Sequence, residues 1–221
     1  MATWIVHLRV AQRLAERFAP LACIEFAVGS LAADCGAVMP DGSYSPPSSV
    51  THWLKAGQGK QSCDYSRFAE RYLNAGHTPA ENAFLLGYYA HLVTDVLWSE
   101  KINLPLKQKY SDFYKSDRDG FYRAVKPDWY ECDFRYLCAN PDFEPYRELC
   151  ALERLEIAPE RLLGYYRDGM IMRQMENICE YYQGRLPEER ELKYLTEAQV
   201  NRFVELAADD IAAMLKQWTE A

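Results

Sequence analysis

No apolar run in this sequence approaches the roughly 18 residues that a bilayer-spanning helix needs, so membrane insertion is not expected. The opening residues, Met1-Ala-Thr-Trp-Ile-Val-His-Leu-Arg9, carry no basic segment ahead of an uninterrupted apolar stretch. Charge returns at Arg9, Arg13, Glu16 and Arg17, so a signal peptide is not expected and a cytoplasmic location is. C-x-x-C pairs are also missing. Cys23, Cys35, Cys63, Cys132, Cys138, Cys150 and Cys179 are dispersed and odd in number, which predicts reduced, small core residues and argues against zinc ligation by cysteine. Basic residues are outnumbered, 25 Lys and Arg against 32 Asp and Glu for a net charge of −7. No basic stripe is present, so no nucleic-acid partner is expected. Nor is there a basic amphipathic helix to draw the chain to an anionic membrane. A small phosphoester stays compatible with this charge, because a bound metal supplies positive charge locally.

Histidine is scarce as well, with four in 221 residues: His7, His52, His77 and His91. What is abundant is helical periodicity. At 49% hydrophobic and 26% charged residues the composition is that of a globular protein, and the length suits one domain over 1–221. Residues 3–18 form an amphipathic helix, and 22–33 a more apolar one. A Gly/Pro/Ser-rich loop follows over 35–50. Thr78-Pro79-Ala80-Glu81 combines an N-cap, a proline at the first helical position and a capping box, opening a helix to about Ile102. Further helices are expected at about 117–138, interrupted at Pro127, at 144–155, and from Pro159 through Tyr182. A second capping box, Thr196 to Gln199, opens a last helix ending near Trp218. Period-two alternation is lacking, and the expected fold class is all-α, a helical bundle.

The chemistry concentrates on the 78–102 helix. His91 and Asp95 stand four apart, roughly 40° around the axis, on one face with Tyr88 and Trp98. Phe84, Leu85, Leu86, Tyr89, Leu92, Val93, Val96 and Leu97 make this helix apolar nearly all round, hence central. A buried carboxylate must be paired or bind a cation. Two arrangements fit: a hydrogen-bonded His–Asp pair, or two metal ligands. At about 100° per residue His7 points opposite the polar face of the first helix, into its apolar stripe, as a core histidine or a ligand. Asp34 closes an apolar helix where the dipole disfavours negative charge, so by itself it reads as a helix-end residue. By default His52 reads as a surface loop residue, and His77 is placed on the surface.

Taken together, Trp4 and His7, Gly29-Ser-Leu-Ala-Ala-Asp34, Thr51-His52 and Gly87-Tyr-Tyr-Ala-His91-Leu-Val-Thr-Asp95 resemble the zinc-dependent phospholipase C family, related in fold to the P1-type nucleases. The likeness covers roughly residues 3–103. It implies a helical bundle that binds up to three zinc ions and hydrolyses phosphoesters. By this resemblance Asp34, His52, His91 and Asp95 match the ligands of one zinc, with Asp95 able to bridge to another. His7 matches the histidine of a second zinc, which the family completes with the amino and carbonyl groups of an N-terminal tryptophan. Trp4 is internal here, so its nitrogen is an amide. The family's remaining zinc needs two further histidines, and none follows His91. That site is absent as the family builds it, unless carboxylates such as Glu176 or Glu180 substitute.

The expectation is one well-formed zinc site, with a second around His7 and Asp95. Mn²⁺, Fe²⁺ or Ni²⁺ would accept the same donors. The implied function is metal-dependent hydrolysis of a small phosphoester, with Asp34 as ligand or general base. The alternative is a non-catalytic binding or regulatory domain that keeps a structural metal on the same fold.

Overall fold

Helix α1 (Trp4–Ala15) runs through a 3-10 turn at Ala19–Leu21 into α2 (Ile24–Ala32). The computed structural model describes residues 1–55 and 62–219. The Pro/Ser-rich stretch holds an antiparallel pair, β1 (Ala37–Val38) and β2 (Tyr44–Ser45), then the one-turn helix α3 (Ser48–Thr51). After α4 (Tyr65–Tyr72) comes α5 (Pro79–Trp98), followed by α6 (Leu104–Lys109), α7 (Ser111–Ser116) and α8 (Arg118–Ala139). The chain ends with α9 (Glu144–Cys150), α10 (Pro159–Leu163), α11 (Met170–Tyr182) and α12 (Glu197–Thr219). The fold is all-α, the described strands being two residues each.

Helix α5 is the axis. The Thr78 hydroxyl accepts from Glu81 N at 3.3 Å and the Glu81 carboxylate accepts from Thr78 N at 2.9 Å, the reciprocal cap its sequence predicts. From Ala83 to Trp98 every residue but Val96 is buried. Its closest neighbour is α2, and two glycines permit the approach. A Cβ on Gly29 would come 2.9 Å from the Phe84 carbonyl carbon, and one on Gly87 would come 2.9 Å from the Ser30 nitrogen. No real side chain tolerates these contacts, so the two backbones meet where both helices lack one. Past Trp98 the helix widens into a π-helical turn, Ser99–Asn103, before α6.

Several expectations are corrected. Pro127 does not interrupt α8, because Pro127 and Arg123, whose carbonyl loses its partner, both face solvent, where water replaces the bond. The helix expected from Pro159 through Tyr182 is broken. Gly164 and Gly169 take left-handed backbone angles, φ +77° and +76°, ending α10 and restarting the chain as α11. The helix expected over 144–155 stops at Cys150. The cysteines are not all reduced: Cys150 and Cys179 form a disulfide joining α9 to α11, with Cα atoms 5.6 Å apart. Spacing along the chain does not reveal that proximity. Cys35 and Cys132 are buried as expected, whereas Cys138 is exposed.

Candidate metal centre

Four separate segments deliver the candidate ligands. His7 comes from the middle of α1, Asp34 from the turn after α2, His52 from the residue after α3, and His91 with Asp95 from α5. The hydrophobic stripe of α1 packs inward and takes His7 with it, to 1% exposure. His91 and Asp95 are carried inside because α5 is buried around its circumference. His52 is 3% exposed, which overturns its reading as a surface histidine.

The hydrogen-bonded His91–Asp95 pair does not form. His91 Nε2 lies 3.9 Å from Asp95 Oδ2, beyond hydrogen-bond reach. Instead His91 Nδ1–H donates to the Ser30 carbonyl at 2.7 Å. Burial, reinforced by neighbouring His7, lowers the His91 pKa to about 3, so the ring is neutral. With its proton on Nδ1, its Nε2 carries a bare lone pair. That lone pair lies 3.4 Å from His52 Nε2. His52 Nε2 is in turn 3.2 Å from Asp34 Oδ1 and 3.6 Å from Asp95 Oδ2, while its Nδ1 meets the Thr51 hydroxyl at 2.9 Å.

These separations can be compared with an ion's requirements. Bonds of about 2.0–2.1 Å to a tetrahedral zinc place neighbouring ligand atoms roughly 3.3–3.5 Å apart. The observed edges of 3.2, 3.4, 3.6 and 3.9 Å bracket that value. The donor atoms of Asp34, His52 and His91 lie within 4.8 Å of one another, as do those of His7, His91 and Asp95. The residues present fit a divalent cation held by imidazole and carboxylate.

His7 supplies a second observation. Its ring stacks on His91, centroids 3.9 Å apart and planes within 6°. Among the described residues neither of its buried nitrogens has a hydrogen-bond partner, and Nε2 is 3.6 Å from Asp95 Oδ1. Such a group carries a desolvation penalty unless something coordinates it. Asp95 Oδ1 also accepts the Ala2 backbone N–H at 3.0 Å.

The remaining residues named in the sequence fall outside. His77 is half-buried between exposed neighbours and bonds the Tyr72 carbonyl through Nε2 at 2.7 Å. Glu176 and Glu180 are exposed on α11, and neither belongs to the two ligand groups found among the described residues. Trp4 packs edge-on against Tyr181 and Tyr182.

Supporting residues were not visible in the sequence. The left-handed break at Gly164 turns two tyrosines onto the site's scaffold. Tyr166 donates to the Ala32 carbonyl at 2.6 Å, and Tyr165 donates to Tyr88 OH at 2.9 Å. Tyr88 donates to the Thr51 carbonyl at 2.5 Å, tying the segments of Asp34 and His52 to α5. Asp133, buried in α8, accepts from Thr3 Oγ1 and Tyr182 OH, each at 2.7 Å. That pins Thr3 and so sets Ala2 against Asp95. Burial outweighs both bonds and raises the Asp133 pKa to about 7. Bonds to backbone carbonyls and between distant helices leave no periodic or motif signal.

Comparison with protein-family models, with curated proteins and with solved structures finds no match for this chain.

Proposed function

We propose that the chain is a metal-dependent phosphoester hydrolase, similar to the zinc-dependent phospholipases C, built on one zinc site of Asp34, His52, His91 and Asp95. The reading rests on one observation above the rest. Residues from separate segments, picked out by their order in the sequence, bring their donor atoms into two overlapping groups that share His91: Asp34, His52 and His91, and His7, His91 and Asp95, with His52 Nε2 also 3.6 Å from Asp95 Oδ2. Zinc there supplies a Lewis acid that activates water near neutral pH and polarises a phosphoryl oxygen. The Ser30 carbonyl fixes the His91 tautomer, and Thr51 orients His52, the usual support for ligating imidazoles. Asp34 has the least buried side chain of the set and either ligates or takes the proton from the attacking water. His7 with Asp95 is the place for a second ion. The substrate is a small phosphoester, without nucleic acid.

A second reading has its own support. His52, His91 and Asp95 are 3%, 0% and 1% exposed, and closed sites are the mark of structural zinc. On that reading the metal holds the fold and nothing is turned over. Metal analysis of the purified protein comes first, then turnover of a bis-phosphodiester and a phosphomonoester with and without chelator. Stoichiometric metal with chelator-sensitive turnover supports the hydrolase. Metal that raises the melting temperature without turnover supports the structural role. Full metal content in His91→Ala would sink both.

A further inference from the structure

A buried cation on α1 forms no ion pair among the described residues. Arg9 is 8% exposed and lines a cavity of about 570 Å³ between α1, α8 and α12. Among the described residues its guanidinium has neutral partners at contact distance. Nη2 donates to Asn201 Oδ1 at 2.6 Å, and the Tyr136 ring lies 3.9 Å beneath Cζ. The group has five N–H donors in a planar fork, so most of its hydrogen-bonding capacity is unused by the protein. Burying a charge on such terms is unfavourable unless an opposite charge joins it.

The acids nearby are committed elsewhere. Glu205, on the cavity wall, pairs with Arg13 at 2.9 Å, and Glu197 pairs with Arg135 at 3.4 Å. Asp133 attracts Arg9 through space but gives its oxygens to Thr3 and Tyr182. Arg202, also on the wall, is exposed and forms no ion pair among the described residues. Gln12, Asn140 and Asn201 add amides to the same lining.

We propose that this cavity binds a small oxyanion, a phosphate or carboxylate group, held by the Arg9 fork with Arg202 at the rim. Its volume falls within the range of small-molecule sites, so the group is expected on a compact organic molecule. The site draws on none of the metal ligands and stands independently of the hydrolase reading.

Metal-free protein would be titrated calorimetrically with inorganic phosphate and, separately, with succinate, and melting followed in parallel. The preferred anion identifies the class. Saturable binding with a raised melting temperature is expected in the native protein. Arg202→Ala, at an exposed position, should weaken binding several-fold. Arg9→Met should abolish it while leaving the anion-free protein as stable as before or more so, since an unpaired buried charge is removed. Absence of binding by either anion overturns the proposal. Binding that persists in Arg9→Met and Arg202→Ala, as it would if the anion sat elsewhere, overturns it too. A large loss of anion-free stability in Arg9→Met would make Arg9 a structural prop and equally refute it.

Discussion

The crossing of α2 and α5 is where packing and chemistry share a tolerance of less than an ångström, and Gly87→Ala tests it. In an uncrowded helix this change is favourable by about 1 kcal/mol, because alanine is the better helix former. Here the new Cβ would sit 2.9 Å from Ser30 N and closer still to the Phe26 carbonyl oxygen. Ordinary contact needs about 3.5 Å or more, so α5 must retreat from α2 on the order of 1 Å. His91 Nδ1 is 2.7 Å from the Ser30 carbonyl, on the other side of that seam. A shift of this size carries the pair past the roughly 3.2 Å limit of a good hydrogen bond. Overpacking costs about 1–3 kcal/mol and the lost bond about 1 kcal/mol, against the gain of about 1 kcal/mol from alanine, so the net is a destabilisation of about 1–3 kcal/mol. At roughly 2–4 °C per kcal/mol for this size, melting should fall by about 2–12 °C. Zinc affinity should fall by roughly 10–100-fold as His91 loses the carbonyl that orients it. Thermal melting and competition with a chromophoric chelator measure the two effects. A melting temperature that stays or rises would show that the helices do not meet as closely as described. Unchanged zinc affinity beside a lowered melting temperature would uncouple the Ser30 contact from the metal.

Other perturbations report on separate links. Asp133 carries a pKa of about 7 against an ordinary 3.8, so its proton is retained on folding. Its contribution is therefore fully present below about pH 4 and lost as pH rises through 7, on the order of 4 kcal/mol. Asp133→Asn should gain stability over the native chain progressively between pH 4 and 8 in denaturant titrations, and a pH-independent difference would refute this. Zinc at about 100 times its dissociation constant should stabilise the native protein by about 2.7 kcal/mol, seen as higher melting. His52→Ala should lose that shift, and a retained shift would remove His52 from the ligand set. Replacing Cys150 and Cys179 by serine opens a link across 29 residues. It should cost about 3–4 kcal/mol in urea unfolding, and an unaltered midpoint would mean that the bond is not formed in solution.

Much of this architecture was legible in residue order. The capping box at Thr78 and Glu81, the all-round apolar surface of α5 and the inward face of α1 are local properties, set within a few turns of helix. They placed His7, His91 and Asp95 inside before any contact was known. The sequence misled where a short signal competed with a longer pattern. Gly164 and Gly169 look tolerable in a helix until a left-handed turn is needed to bring Tyr165 and Tyr166 onto α5 and α2. Pro127 looks like a break until it faces water.

By itself the sequence determined the long helices α1, α5 and α12, the buried faces of α1 and α5, and the residue types able to hold a cation. Tertiary structure decided which of these groups meet. Asp34 and His52 carry no local sign of burial, yet they close on His91 because glycines at 29 and 87 let two backbones touch. The His91 tautomer and the lone Arg9 charge were likewise decided by neighbours distant in sequence, Ser30 in one case and the committed acids in the other. The reason is one of range. Helix formation depends on residues three and four apart, whereas coordination and charge compensation act between atoms a few ångströms apart, whatever the length of chain between them.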